Sequence, residues 1–192
     1  MKTIIVTGTP GTGKTAIAKK LAKRLKYYYL DANKIINKYK LSEGYDKKRK
    51  TKIVDIKRLN KALIDFFKNK NIERASLSKA GSTKTLNKLN IKKTPNTKKN
   101  KQKIKGIIID SHLSHYLPRK YVDFCIVAKC DIKELNKRLK RKKFHKNKIE
   151  ENIQAEIFDV CLEEARKKKH KIIQIDTTKS FNISSVVKQL GG

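Results

Sequence analysis

One glycine-rich stretch constrains the fold of this 192-residue chain more than any other feature. It reads Gly8-Thr9-Pro10-Gly11-Thr12-Gly13-Lys14-Thr15 and follows a β-branched run at 3–7. The stretch fits the pattern Gly-x-x-x-x-Gly-Lys-Ser/Thr in every fixed position, between a strand and an amphipathic helix. In such a loop the backbone N–H groups surround phosphate oxygens, and the helix N-terminus adds its positive end. We predict that the chain binds a nucleoside triphosphate; the alternative is an ordinary glycine-rich turn between strand and helix.

Short apolar strands alternate with helices along the rest of the chain. Strands are predicted at 3–7, 27–30, 107–110, 122–128 and 171–175. Helices are predicted at 14–25, 32–39, 56–67, 149–168 and 183–190, with one more starting at the N-cap Asp131 and running through Leu139. The helix at 149–168 should turn Ile153, Ile157, Val160, Cys161 and Ala165 inward, and the stretch around 44–46 should be irregular. This pattern indicates an α/β fold, one domain over 1–192, with a five-stranded parallel sheet flanked by helices.

The chain is strongly basic, with 50 Lys and Arg against 17 Asp and Glu and a net charge of +33. Contact with RNA is one explanation, because basic side chains displace counterions from phosphates. The alternatives are the lysine-rich composition of an AT-rich genome and the lysine enrichment of some thermophiles. Residues 70–105 carry twelve of the Lys and Arg, a single acidic residue, Glu73, and no aromatic residue. We expect this segment to be a mobile basic insertion, with a helical turn near 85–89.

Membrane and secretion signals are missing from the printed sequence. It has no run of 18 apolar residues, and the first apolar stretch, Ile4-Ile5-Val6, is too short for a signal-peptide core. The cysteine count of three is odd and includes no Cys-x-x-Cys pair, which argues against a disulfide framework and favours a reducing compartment. We expect a soluble cytoplasmic protein with no membrane partner.

The glycine-rich loop predicts where a nucleotide and its metal would bind. Lys14 can neutralise the β- and γ-phosphates, and the Thr15 hydroxyl can hold Mg²⁺. The expected second metal ligand is Asp110, which ends the most apolar strand, Ile107-Ile108-Ile109. Asp31 and Asp176 also end strands, but either could serve as a turn or cap residue.

Several further motifs occur together and in a fixed order. They are Gly44-Tyr45-Asp46, Asp110-Ser111-His112, Leu113-Ser114-His115-Tyr116-Leu117-Pro118 and Glu151-Asn152-Ile153-Gln154-Ala155-Glu156-Ile157. With the glycine-rich loop, this set closely resembles the adenylate kinase isoenzyme 6 family. The Asp-x-His triplet and the Glu-Asn-Ile-x-Ala-Glu stretch are far more specific than the loop. The likeness covers nearly the whole chain except residues 70–105.

The resemblance implies a P-loop NTPase fold of the nucleoside monophosphate kinase type, with a monophosphate-binding region at 31–54 and a lid at 141–151. It implies phosphoryl transfer from ATP to a monophosphate such as AMP, with Mg²⁺ as the metal, and ATP hydrolysis. It further implies a role in late maturation of the small ribosomal subunit and its rRNA, through transient binding of ribosomal protein uS11.

Carried over by position, the residues that would surround the ATP phosphates are Gly11, Gly13, Lys14, Thr15 and Ala16. Two positions depart from the family pattern. Lys142-Lys143-Phe144 replaces Arg-Gly-Tyr at the start of the lid, so Lys142 keeps the charge but not the planar fork that suits phosphate. Asn37 stands where some members have an arginine. Arg138 or Arg141 could supply the missing fork.

Three further assignments follow from this resemblance. His112, two residues beyond Asp110, is a candidate to orient or activate an attacking water; the alternative is a hydrogen-bonded loop histidine. Arg138 is a candidate to lie over the adenine ring, or else to form a surface ion pair. Thr177-Thr178 would contact the adenine, or form a simple turn.

Two functions remain open at this point. One is a purely metabolic adenylate kinase. The other is an ATP-driven assembly factor for the small ribosomal subunit, which the charge of +33 favours.

Overall fold

Five parallel strands form the central sheet of the computed structural model, which describes residues 1–46, 51–76 and 105–191. The strands in chain order are β1 (Lys2–Thr7), β2 (Tyr28–Asp31), β3 (Ser42–Asp46), β4 (Thr51–Val54), β5 (Gly106–Asp110), β6 (Phe124–Lys129) and β7 (Ile172–Asp176). The central sheet has the order β2-β5-β1-β6-β7, and β3 and β4 pair separately as an antiparallel hairpin. The predicted α/β fold with a five-stranded parallel sheet is confirmed.

Seven α-helices connect the strands within the described residues. They are α1 (Lys14–Leu25), α2 (Ala32–Lys38), α3 (Ile56–Ser76), α4 (Ile132–Arg141), α5 (Lys146–Ile157), α6 (Val160–Lys167) and α7 (Ile183–Gln189). Two short 3₁₀ turns, Ser114–Tyr116 and Arg119–Tyr121, follow β5. Asp131 caps α4 by accepting the N–H groups of Lys133 and Glu134, as predicted from its sequence position.

Both faces of the three inner strands β5, β1 and β6 are buried, which explains why these strands are nearly continuous apolar runs. On one face, Ile5 and Ile109 pack with the α2, α3 and α6 side chains Ile35, Leu63 and Leu162. On the other face, the apolar cluster joins Ile4, Val6, Ile108 and Ile126 of the sheet to Ile17 and Leu21 of α1 and Val186 of α7. Because all five strands are parallel, their carboxyl ends lie together at one edge of this packed sheet.

The prediction of a single helix at 149–168 is wrong, because this part of the chain forms two helices, α5 and α6. Asp159 adopts a left-handed conformation, φ 52°, and an α-helix cannot continue through that conformation. The break also corrects the predicted inward face: Ala165 is buried, but Ile157 and Val160 are exposed to water. The helical periodicity continues across 157–160, so the sequence carried no signal for the interruption.

The structure differs from two more predictions. The stretch around 44–46 belongs to the β3–β4 hairpin instead of being irregular. Helix α3 runs to Ser76, nine residues past its predicted end, so the first part of the segment 70–105 is helical. The remainder of that segment, with the turn expected near 85–89, lies outside the described residues.

Within the described ranges, no helix has the length and apolar character that crossing a membrane requires.

Candidate nucleotide-binding site

The glycine-rich loop connects the end of β1 to the start of α1 at the carboxyl edge of the sheet. Gly8, Gly11 and Gly13 have φ angles of 136°, 100° and 89°, which side-chain-bearing residues rarely adopt. The loop is closed internally, since the Thr12 hydroxyl donates to the Thr9 carbonyl at 2.8 Å. The positive φ angles and this bond give the loop a compact turn, for which the sequence pattern supplies the glycines.

Neighbouring groups approach the loop so closely that two of these glycines have no room for a Cβ. A Cβ on Gly8 would lie 2.5 Å from the Ala128 carbonyl oxygen. A Cβ on Gly11 would lie 2.8 Å from the Leu135 side chain on α4. The loop is thus held between β6 and α4, in a shape that the sheet and helix dictate.

A pocket of about 330 Å³ opens over this loop. Its lining residues are Gly11, Gly13, Lys14, Thr15, Arg138, Arg141 and Lys142. Helix α4 contributes the two arginines, and Lys142 follows at its end. Four cations and a helix N-terminus face one small volume, so the pocket suits a polyanion such as a chain of phosphates.

Most of the residues predicted for ATP line this pocket, with one exception. Ala16 lies on the first turn of α1, is exposed, and is not among the lining residues. Arg141, considered only as a substitute for Lys142, lines the pocket beside it. The role of each residue towards a nucleotide stays a prediction.

Arg138 is held in place by its own hydrogen bonds. Its Nε donates to Glu134 at 2.9 Å, and one terminal NH₂ group donates to the Thr177 carbonyl at 2.7 Å. The same group reaches the Thr178 carbonyl at 3.2 Å. Because these partners use most of the guanidinium donors, Arg138 contributes its charge to the pocket but offers no open fork. The ion pair with Glu134 that was the alternative is present, but it is half-buried instead of being on the surface.

The protonated form of Lys14 destabilises the folded chain. Burial lowers the pKa of Lys14 from 10.5 to about 8, while the nearby Cys161 thiol and Asp110 carboxylate oppose that shift. Its Nζ donates to the Thr9 carbonyl at 3.0 Å. An ammonium that has lost this much hydration is stabilised by further negative charge.

Asp110 lies at the end of β5, directly beside β1, where its register partner is Val6. The carboxylate is buried, and its Oδ2 accepts a hydrogen bond from the Tyr29 hydroxyl at 3.0 Å. Burial and the Asp110 charge raise the pKa of Tyr29 far above its ordinary value. Sequence reasoning missed Tyr29, because only strand order places β2 next to β5.

The two alternative acids have local partners. Asp31 caps α2 by accepting the Asn33 N–H at 2.9 Å. Asp176 accepts the N–H of Thr178 at 2.8 Å in the turn after β7. These contacts match the turn and cap roles considered for both residues, and they leave Asp110 as the candidate metal ligand.

The chemistry of Thr15 and Asp110 fits a magnesium ion. Among the described residues, no three His, Cys, Asp or Glu side chains gather into a metal cluster. Mg²⁺ in a phosphate site takes only one or two protein ligands and fills the rest of its shell with water and phosphate oxygens. A hydroxyl from the pocket wall and a buried carboxylate at the adjacent strand end are ligands of that kind.

His112 lies close enough to Lys14 for their charges to interact. Desolvation by the surrounding protein, then the positive charges of Lys14 and Lys148, lower the pKa of His112 to about 4. The side chain also reaches the surface, where water weakens both the desolvation and the repulsion by the two lysines. The imidazole is therefore neutral at pH 7 and able to accept a proton.

Comparison with known proteins places the chain in a family. The AAA domain family matches residues 4–159. The chain is 31% identical over 187 residues to the "Putative adenylate kinase" of Methanocaldococcus jannaschii, spanning 97% of this chain and 82% of that protein. It is 29% identical over 187 residues to the "Adenylate kinase isoenzyme 6 homolog FAP7" of Saccharomyces cerevisiae, spanning 95% and 77%. The chain belongs to the adenylate kinase isoenzyme 6 family. Membership makes it an adenylate kinase-like phosphotransferase that uses nucleotides.

Solved structures with a similar fold are P-loop kinases. Deoxyadenosine kinase from M. mycoides with bound dATP aligns over 100% of both chains, with a TM-score of 0.51 and 12% identity. A sugar kinase from Janibacter sp. aligns over 98% of this chain and 91% of its own, with a TM-score of 0.52 and 16% identity. At these identities the likeness confirms the P-loop kinase fold of this isoenzyme 6 relative and nothing finer.

Proposed function

We propose that this chain is a cytoplasmic nucleoside monophosphate kinase that converts ATP and AMP to two ADP and also hydrolyses ATP. The observation that carries the proposal is the pocket over the glycine-rich loop, where Lys14, Arg138, Arg141 and Lys142 meet the N-terminus of α1. Phosphoryl transfer depends on alignment and charge neutralisation more than on covalent chemistry, and this pocket supplies both.

Each part of the pocket has a proposed role. The loop amides and Lys14 hold the β- and γ-phosphates, and the cations of α4 and the lid neutralise charge that develops during transfer. Thr15 and Asp110 would hold Mg²⁺, which when bound neutralises phosphate charge and fixes the phosphate geometry. Residues 31–54 would bind the monophosphate, and the lid at 141–151 would exclude water.

Incubation with ATP and AMP tests the kinase reaction. We expect two ADP for each AMP consumed, and a slower release of phosphate from ATP alone. Absence of ADP in the presence of AMP, with phosphate release intact, would reject the kinase half of the proposal and keep the ATPase half.

Replacing His112 with alanine should slow ATP hydrolysis by about 100-fold, the lower range for loss of a general base. ATP affinity, measured by calorimetry, should stay within about twofold, because His112 does not line the phosphate pocket. The kinase reaction of the same variant is the control, since the AMP phosphate needs no activated water as nucleophile. Equal losses in both reactions would show that His112 shapes the site rather than acting on water.

We further propose that the chain acts in late maturation of the small ribosomal subunit through transient binding of uS11 and proximity to rRNA. The family likeness and the charge of +33 support this role over a purely metabolic one. Calorimetric titration with purified uS11, followed by the ATPase rate with and without uS11, tests it. No binding and no change in rate would favour the purely metabolic adenylate kinase.

A further inference from the structure

The turn between α5 and α6 exposes three large apolar side chains next to one another. Ile157 is 58% exposed, Phe158 is 72% exposed and Val160 is 42% exposed. Phe158 has the largest exposed fraction among the large apolar side chains of the described residues. We call these three residues the α5–α6 apolar surface. An exposed apolar cluster of this kind is typical of a protein-binding surface.

Ionic contacts with Lys129 hold this turn. The Lys129 ammonium binds the carboxylates of Glu156, at 3.0 Å, and of Asp159. Glu156 is buried and also accepts the Cys130 N–H at 3.1 Å. Lys129 and Cys130, at the end of β6, thereby hold the turn on both sides of Phe158. The Phe158 side chain is exposed between these contacts. Preorganisation of this kind lowers the entropic cost of binding a partner.

The charge around the surface identifies the class of partner. The segment 150–164 has no Lys or Arg in a chain of net charge +33. Of its six acidic residues, Glu156 and Asp159 are paired with Lys129, and the four others are Glu150, Glu151, Glu163 and Glu164. Exposed cations pair with three of these acids: Lys146 with Glu150, Arg166 with Glu163 and Lys167 with Glu164. Ion pairs of this kind contribute little, so a partner's cations can replace the exposed lysines and arginine. A segment without its own cations favours a basic protein over a nucleic acid as the partner.

We propose that the α5–α6 apolar surface docks a basic protein, with Phe158 as the central apolar contact; this rests on the assembly role proposed above. The surface connects to the nucleotide pocket through Lys129. The Lys129 carbonyl accepts the Thr177 N–H at 2.9 Å, and the Thr177 carbonyl holds Arg138 at 2.7 Å. The turn that carries Phe158 is therefore linked to Arg138 of the pocket through Lys129 and Thr177.

Photo-crosslinking tests the surface. The variant Phe158→p-benzoylphenylalanine is irradiated with the proteins of the small ribosomal subunit after removal of rRNA, and separately with the rRNA. We expect a crosslink to a basic protein and none to rRNA. Tyr28, 41% exposed on β2, carries the same probe in the control and should give no protein crosslink above background. No crosslink at 158, the same crosslink at 28, or a crosslink to rRNA alone would overturn the proposal.

Binding of uS11 then separates this inference from the function it rests on. If the wild-type chain binds uS11, Phe158→Ser should weaken the affinity about 30-fold, the loss typical of a central interface residue. Tyr28→Ser should leave it unchanged. Unchanged affinity of Phe158→Ser would reject the docking surface and leave the uS11 partnership intact. If the wild-type chain does not bind uS11, that partnership fails, and the crosslinking result alone decides the surface.

Discussion

Replacing Lys14 with alanine should weaken ATP binding at least 100-fold and lower phosphoryl transfer by about two to three orders of magnitude, without unfolding the chain. Lys14 is the cation nearest the start of α1 in the phosphate pocket. Its ammonium is poorly hydrated, and a bound phosphate would supply the negative charge that stabilises it. Calorimetric titration with ATP and Mg²⁺, together with the ADP-forming assay, measures both losses.

The same substitution should leave the nucleotide-free fold as stable as the parent, or more stable. The pKa of Lys14 in the folded chain is about 8 instead of 10.5, so protonated Lys14 destabilises that state below pH 8. At 1.36 kcal/mol per unit this amounts to roughly 3 kcal/mol, an upper figure that the lost bond to Thr9 reduces. Between pH 8 and 10.5 the unfolded chain binds more protons than the folded chain. The stability of the parent should therefore rise relative to Lys14→Ala across that window.

Lys23→Ala is the matched control, because it removes the same charge from an exposed position on the same helix. Thermal unfolding and ATP titration of this variant should both resemble the parent. Parent-like ATP binding by Lys14→Ala would contradict the phosphate pocket as the nucleotide site. Unfolding of Lys14→Ala at pH 7 would contradict the argument from its lowered pKa.

The second large effect is expected from Gly8→Ala, which should destabilise the fold by about 3 kcal/mol. The new Cβ would lie 2.5 Å from the backbone oxygen of Ala128, and the φ of 136° would be strained with any side chain. Backbone strain of this kind costs about 1–3 kcal/mol, and overpacking costs a similar amount. Because the blocking atom belongs to the backbone of β6, which is paired on both sides with β1 and β7, it cannot move aside. Denaturant unfolding at pH 7 measures the loss.

Gly44→Ala provides the comparison in the same experiment. Gly44 lies in β3 with no positive φ, and its new Cβ would meet only the Ile53 side chain at 3.8 Å, an ordinary contact. We expect a change within about 0.5 kcal/mol. Equal stability of Gly8→Ala and Gly44→Ala would show that the loop does not pack against β6 as described.

Local sequence signals predicted the glycine-rich loop, helix α1 and the strands of the sheet. Each of these elements is specified by neighbours in the sequence: a β-branched run for β1, helical spacing of Ile17 and Leu21 for α1, and an N-cap at Asp131 for α4. The break at Asp159 was missed because its cause is distant in sequence. Lys129 on β6 holds the turn from 30 residues away.

The sequence by itself determined that the chain forms a parallel α/β fold around a phosphate-binding loop, because residue type and spacing within that loop suffice for it. Only the tertiary structure decided which cations face the loop, that Tyr29 bonds to Asp110, and that Phe158 is exposed. Strand order and the packing of α4 against the glycine-rich loop and α5 set these contacts. The groups involved are separated by tens of residues, and no local periodicity records which of them will meet.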